Sequence, residues 1–331
     1  MKVSPGKLAH LAKLSTPAGI IAAAAMDQRG SLQKSIAKAK GIADKDVTFE
    51  MMSEFKTAVV KVLTPHASAI LLDTEYGLPA AAARSSNAGL LLAYEKTGYD
   101  NTIAGRLPDL LPELSAKRIQ DHGANAVKVL IYYTPFEKLE INDHKHAFIE
   151  RIGSECEDMQ IPFFLEFIGY DPMGGDEKGL EYAKIKPKVV IGSMKEFTKP
   201  QYKVDVLKVE VPVNAEYVEG SSVYKGQTAY TRAEAVSLYR QAADVASKPF
   251  IYLSAGVSND QFTESLRMAS EAGTPYSGVL CGRATWKEGI PVYAKSGAKA
   301  LEDWLSTEGV KNINAVNLAL TTAKPWSDRL S

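Results

Sequence analysis

The chain has only two cysteines, Cys156 and Cys281, in 331 residues. That is neither a disulfide framework nor a cysteine-based zinc site. Its five histidines are also thinly spread. His10, His66 and His122 are isolated, and His144 and His146 stand two apart in a stretch of helical pattern, where side chains diverge. No histidine cluster for a metal is therefore expected. No apolar run approaches the roughly 18 residues of a membrane span; "GIIAAAAM" and "LLLAYE" are far shorter. No amino-terminal run resembles a signal peptide, so the expected location is the cytoplasm. The 39 basic and 39 acidic residues cancel, which gives no reason to expect a nucleic-acid or membrane partner. Neither G-x-G-x-x-G nor G-x-x-x-x-G-K-[ST] occurs, which counts against a doubly wound nucleotide-binding sheet.

Hydrophobic residues make up 45% of the chain, ample for a large core. They recur as eight short runs: "GIIAAAAM" (19–26), "SAILLD" (68–73), "GLLLAYE" (89–95), "AVKVLIYY" (126–133), "PFFLEFIGY" (162–170), "DVLKVEVP" (205–212), "PFIYLSAG" (249–256) and "SGVLCGR" (277–283). Near-continuous apolar runs suit parallel strands covered on both faces. The segments between them have helical spacing, as in 48–66 and 231–246, where Thr231 and Glu234 form a capping-box pattern. Eightfold strand–helix alternation predicts one (β/α)8 TIM barrel over residues 1–331, with extra helices at both ends. The second-to-third link is short, so its helix should be reduced. "LAHLAKLS" should close the barrel floor. "YVEGSSVYKGQTAYT" and "GYDPMGGDEKG" read as loops, and the final segment should cover the barrel or meet a partner.

In such a barrel, polar residues within strands or at their carboxyl ends are the functional candidates. Asp27 and Gln28 end the first run and Asp73 the second. Lys128 lies in the fourth, Glu166 in the fifth, and Lys208 and Glu210 in the sixth. An ammonium in a buried strand is costly unless something uses it. Three successive strands could project Lys128, Glu166 and Lys208 into one barrel mouth. Burial and a neighbouring ammonium both favour a neutral amine, as a Schiff-base nucleophile requires. Glu166, among aromatics, fits a general acid/base or a structural partner for a lysine; Glu210 reads as such a partner. The seventh and eighth runs end in Ser254, Gly256, Gly282 and Arg283. Loops after these strands commonly bind phosphate through backbone N–H groups, and an arginine adds a forked donor. Cys281 lies nearby and reads as a packing residue.

The stretches "AMDQRGSL", "LLDTEYGLPA", "GLLLAYEKTGYD", "GANAVKVLIYY", "IPFFLEF", "DVLKVEVPVN", "YLSAGVS" and "GVLCGRATW" resemble the class I tagatose 1,6-bisphosphate aldolases over nearly the whole chain. The resemblance implies a (β/α)8 barrel acting in bacterial lactose and galactose catabolism. It implies cleavage of D-tagatose 1,6-bisphosphate to dihydroxyacetone phosphate and D-glyceraldehyde 3-phosphate, with no cofactor and no metal. It implies Lys208 as the Schiff-base lysine and Glu166 as the acid/base. Asp27, Gln28 and Lys128 become substrate contacts, and Ser254, Gly256, Gly282 and Arg283 phosphate contacts. Two departures stand out: Thr74 replaces an expected proline, and the loop after the fifth run differs. Another ketose phosphate, such as fructose 1,6-bisphosphate or a sulfonated sugar phosphate, and a sugar-phosphate sensor role stay open. The oligomeric state is not legible, which leaves room for a homo-oligomer.

Overall fold

The alternation of side chains along each strand organises the molecule. The computed structural model describes residues 3–96 and 103–330; the end of "GLLLAYEKTGYD", from residue 97 on, lies outside them. The strands are β1 (Ile21–Met26), β2 (Ala69–Leu72), β3 (Gly89–Ala93), β4 (Ala126–Tyr132), β5 (Phe163–Ile168), β6 (Val206–Glu210), β7 (Phe250–Leu253) and β8 (Gly278–Cys281). All are parallel and pair in sequence order, and β1 pairs with β8 to close the barrel. Each falls inside one of the eight apolar runs.

Odd and even positions of a strand face opposite ways. Ala25, Leu71, Ala126, Phe164, Val206 and Ile251 belong to an inner apolar cluster. Their neighbours Val127, Leu165, Leu207 and Val209 join a larger cluster with the surrounding helices. Two residues beyond the inner set, on the same strand face, stand Asp27, Lys128, Glu166 and Lys208. Polar chemistry therefore caps a dry interior at the carboxyl end.

The outer layer runs α1 (Pro5–Leu14), α2 (Gly30–Lys40), α3 (Phe49–Leu63), α4 (Leu78–Ala81), α5 (Ala116–Asp121), α6 (Leu139–Asp158), α7 (Leu180–Phe197), α8 (Arg232–Asp244), α9 (Asn259–Glu271), α10 (Arg283–Trp286), α11 (Ile290–Trp304) and α12 (Val310–Leu318). The link from β2 to β3 holds only the four-residue α4, the reduced helix expected there. Thr231 and Glu234 form the reciprocal capping box that starts α8.

α1 begins at Ser4, whose side chain accepts from the Lys7 N–H, with Pro5 in the first turn. It inserts Leu11 and Leu14, both fully buried, among the inner strand residues at the amino end. Each such burial contributes about 1.5–3 kcal/mol, and the floor is closed. At the other terminus α12 packs on α3, α9 and α10. Trp326 Nε1 then reaches Ser15 Oγ at 3.0 Å, so the final segment covers the barrel. One loop expectation needs correcting. Within 217–231, Val218–Glu219 and Tyr230–Thr231 pair as a two-stranded sheet. Pairs that short leave no periodicity to read. Among the described residues no helix is long and apolar enough to cross a membrane.

Candidate active site

The sites of interest begin where β1, β4, β5 and β6 end. Glu166 and Lys208 are direct register partners on β5 and β6, and Lys208 Nζ donates to Glu166 Oε2 at 2.8 Å. The same oxygen lies 2.9 Å from Lys128 Nζ. Lys128 sits one layer deeper, paired in register with Ala93 and Phe164. It also donates to Asp27 Oδ2 at 2.9 Å and Glu95 Oε1 at 2.7 Å. Lys128, Glu166, Lys208 and Glu95 are buried, and Asp27 is nearly so.

The two lysines thus differ in environment. Lys128 is fully buried and surrounded by three carboxylates. Burial alone would push its pKa down, but Asp27, Glu166 and Glu95 hold it well above the ordinary lysine value. Contrary to the expectation from burial, this ammonium is locked in its charged form. Among the described residues Lys208 touches a single carboxylate, one it shares with Lys128. Burial would raise Asp27, but Lys128, Lys208 and Arg29 hold it well below the carboxylate range.

Sequence reasoning passed over Glu95 and Arg29. Glu95 closes the third apolar run, and its position there was the available signal. Arg29 Nη2 donates to the Glu95 carbonyl at 2.9 Å and approaches its carboxylate at 3.6 Å. Arg106 was also missed. Its guanidinium lies 4.9 Å from the Tyr132 ring and 4.7 Å from the Tyr170 ring and pairs with Glu177 at 2.5 Å, tying three mouth segments together. Glu210 is a structural partner as expected, but of a different lysine. It pairs with Lys186 on α7 at 3.1 Å and accepts from the Gly169 N–H at 2.8 Å.

The four remaining candidates meet at the ends of β7 and β8. Ala255 and Gly256 both have positive φ, +47° and +78°. A Cβ on Gly256 would stand 2.6 Å from Arg283 Cζ, so the glycine admits the guanidinium. Lys287 Nζ also reaches the Gly256 carbonyl, at 3.2 Å. A Cβ on Gly282 would stand 2.8 Å from the Ala25 carbonyl and 3.4 Å from Gln28 Nε2. That close approach brings the Asp27–Gln28 segment beside the β8 end. Among the described residues Arg283 forms no ion pair. Ser254 is buried beside Cys281, whose thiol is pushed up to about 12 by burial. Cys281 is therefore an inert packing residue.

A cavity of about 710 Å³ opens over the ends of β5, β6 and β7, lined by Gly169, Tyr182, Lys186, Glu210, Ser254 and Gly256, among others. It reaches the β7 loop but does not include Lys208 or Glu166, which lie deeper in the barrel. Among the described residues no grouping of His, Cys, Asp and Glu is arranged to hold a metal.

Residues 21–288 match the model of the DeoC/LacD family aldolases. The chain is 54% identical over 327 residues to the tagatose 1,6-diphosphate aldolase 2 of Enterococcus faecalis, covering 98% of this chain and 97% of that one. It is 49% identical over 331 residues to the tagatose 1,6-diphosphate aldolase of Streptococcus pneumoniae, covering both chains in full. Among solved structures it resembles a Schiff-base-forming fructose-1,6-bisphosphate aldolase, with a TM-score of 0.52 and 12% identity over 91% of this chain and 99% of that one. The last likeness speaks to the fold.

Proposed function

Because the chain belongs to the DeoC/LacD family of aldolases, we propose that it cleaves D-tagatose 1,6-bisphosphate to dihydroxyacetone phosphate and D-glyceraldehyde 3-phosphate through a Schiff base on Lys208. The observation that carries the choice of residue is the unequal sharing of Glu166. One carboxylate oxygen touches two ammonium groups, and among the described residues only one of them has further carboxylates. Lys128 is held charged and cannot attack a carbonyl. Lys208 can hand a proton to Glu166 and become neutral.

The steps follow from that arrangement. The Lys208 amine adds to the C2 ketone. Glu166 returns the proton it took to the departing hydroxyl as water leaves, and an iminium ion remains with Glu166 again a carboxylate. Glu166, directly or through a water, takes the C4 hydroxyl proton as the C3–C4 bond breaks. The bonding pair moves into the iminium, giving an enamine, and glyceraldehyde 3-phosphate leaves. Protonation at C3 and hydrolysis release dihydroxyacetone phosphate and restore the amine. Lys128 stays charged throughout. With Asp27 and Gln28 it orients substrate hydroxyls, so that the reacting atoms meet in near-attack geometry. The Gly256 and Gly282 backbones, Ser254 and Arg283 hold the C1 phosphate. The substrate carries two phosphates, which would keep it inside the cell, so we place the reaction in the cytoplasm.

The test is a cleavage assay on tagatose 1,6-bisphosphate and its epimers, with and without a chelator. Cleavage that survives chelation is expected. Loss on chelation, restored by a divalent ion, contradicts the mechanism. Binding without turnover of any epimer favours a sensor.

A further inference from the structure

Lys56 is a buried ammonium that the steps above do not use. It lies on α3, whose buried face is otherwise mainly apolar, and it is inaccessible to solvent. Taking an ammonium out of water costs several kcal/mol, and a methionine would fill a similar volume. Its three contacts suggest what offsets that cost. Lys56 Nζ donates to the Met26 carbonyl at 2.7 Å and the Gln28 carbonyl at 2.8 Å, and lies 2.6 Å from Asp73 Oδ2.

These acceptors have a pattern. Met26 is the last residue of β1, and the two carbonyls flank Asp27. Carbonyls two apart face the same side of an extended chain. Asp73 follows the last residue of β2, the strand paired with β1 through Met26 and Leu72. The ammonium therefore takes the place of the donors β2 would supply if it continued. Asp73 is itself fixed, since its Oδ1 accepts from the Tyr76 N–H at 2.7 Å. The anchored segment presents Asp27 to Lys128 and the Gln28 amide to Asp27 Oδ1 at 3.2 Å.

We propose that Lys56 is a positioning residue for the reaction: by holding the carbonyls on either side of Asp27, it sets the Asp27 carboxylate and the Gln28 amide at the barrel mouth. This rests on the reading of Asp27 as a substrate contact. Lys56 touches no substrate itself and acts through the backbone of two residues that do. A small shift of such groups costs up to about a hundredfold in rate.

The experiment is a double-mutant cycle on the full chain, with kcat and KM for cleavage measured for wild type, Lys56→Met, Asp27→Asn and the double variant. Lys56→Met should lower kcat/KM by roughly tenfold to a hundredfold in the wild-type background. In the Asp27→Asn background the same substitution should cost clearly less, leaving only the share that acts through Gln28. An equal loss in both backgrounds would show that Lys56 only supports the fold, and would overturn the proposal. No loss in either background would overturn it as well. If Asp27→Asn alone leaves kcat/KM unchanged, the substrate-contact reading of Asp27 fails first, and that result needs no Lys56 variant. Should Lys56→Met fail to fold, Lys56→Arg keeps the charge but replaces the compact ammonium with a larger planar fork of different donor geometry. The same background-dependent loss is expected of it, and an equal loss in both backgrounds would again overturn the proposal.

Discussion

The barrel buries lysines at both ends, and the two ends use them differently. At the floor, Lys7 of α1 pairs with Glu157 at 2.6 Å and Asp205 at 2.9 Å. Asp205 also accepts from the Phe163 N–H at 2.8 Å, which ties the lysine to the start of β5. The result joins α1 and α6 to the strand ends. At the mouth, Lys128 and Lys208 share Glu166, and polar atoms are left over. Gln28 Oε1, Arg29 Nε and Glu95 Oε2 are buried with no hydrogen-bonding partner among the described residues. Buried polar groups are normally paired. A buried lysine is thus no evidence of catalysis by itself. What separates the two ends is the surplus of unpaired polar atoms and a carboxylate divided between two cations.

The sharpest way to break this comparison is to truncate a lysine at each end. Lys208→Met should abolish measurable cleavage while leaving the fold intact. Lys7→Met should do the reverse, lowering stability to denaturant by about 3–5 kcal/mol, because carboxylates lose a buried partner, with kcat little changed. If Lys7→Met abolishes cleavage in folded protein, the two ends are not distinct. The next effect is smaller. Glu166→Gln should slow cleavage by roughly 10²–10⁴-fold, the usual range for a general acid/base, as read in steady-state kcat. Arg283→Ala follows. A charged hydrogen bond to phosphate is worth about 1.5–3 kcal/mol, so kcat/KM should fall roughly tenfold to a hundredfold, mainly through KM. An analogue lacking the C1 phosphate should be handled alike by variant and wild type. Equal impairment on both substrates would make Arg283 structural.

The smallest effect concerns stability away from the mouth. Glu264 on α9 accepts from Arg232, Arg267 and Ser222 at 2.8, 2.8 and 2.9 Å. Burial would raise its pKa, but these partners hold it down to about 2. A carboxylate depressed in the folded state contributes stability above its unfolded value, and that contribution is lost as pH falls toward the folded one. Glu264→Gln should therefore flatten the acid limb of Tm against pH between about 4.5 and 2. Cleavage at neutral pH should not change.

How much of this was legible depended on contrast. The eight strands read clearly because barrel strands are covered on both faces and so are nearly unbroken apolar runs. Lys128, Glu166 and Lys208 stood out because each interrupts such a run. Glu95 was visible at the end of one but had no claim over other end residues until Lys128 was seen against it. Lys56 had no contrast at all. It lies on a helix that also carries Lys61, which is exposed and pairs with Glu302 at 2.9 Å, and nothing local distinguishes the two. Lys7 is hidden in the same way, on an amphipathic helix. Which helical lysine points inward is decided by how the helix docks, a tertiary property. The identity of the Glu210 partner was missed for the same reason, since Lys186 comes from α7 rather than from a strand.

The central claim is that Lys208, and not Lys128, forms the covalent bond. It is tested most directly by borohydride reduction in the presence of dihydroxyacetone phosphate, followed by peptide mapping in a mass spectrometer. One adduct on Lys208 is predicted, with Lys128 unmodified because three carboxylates keep it charged. An adduct on Lys128, or none from a fully active protein, would contradict the account.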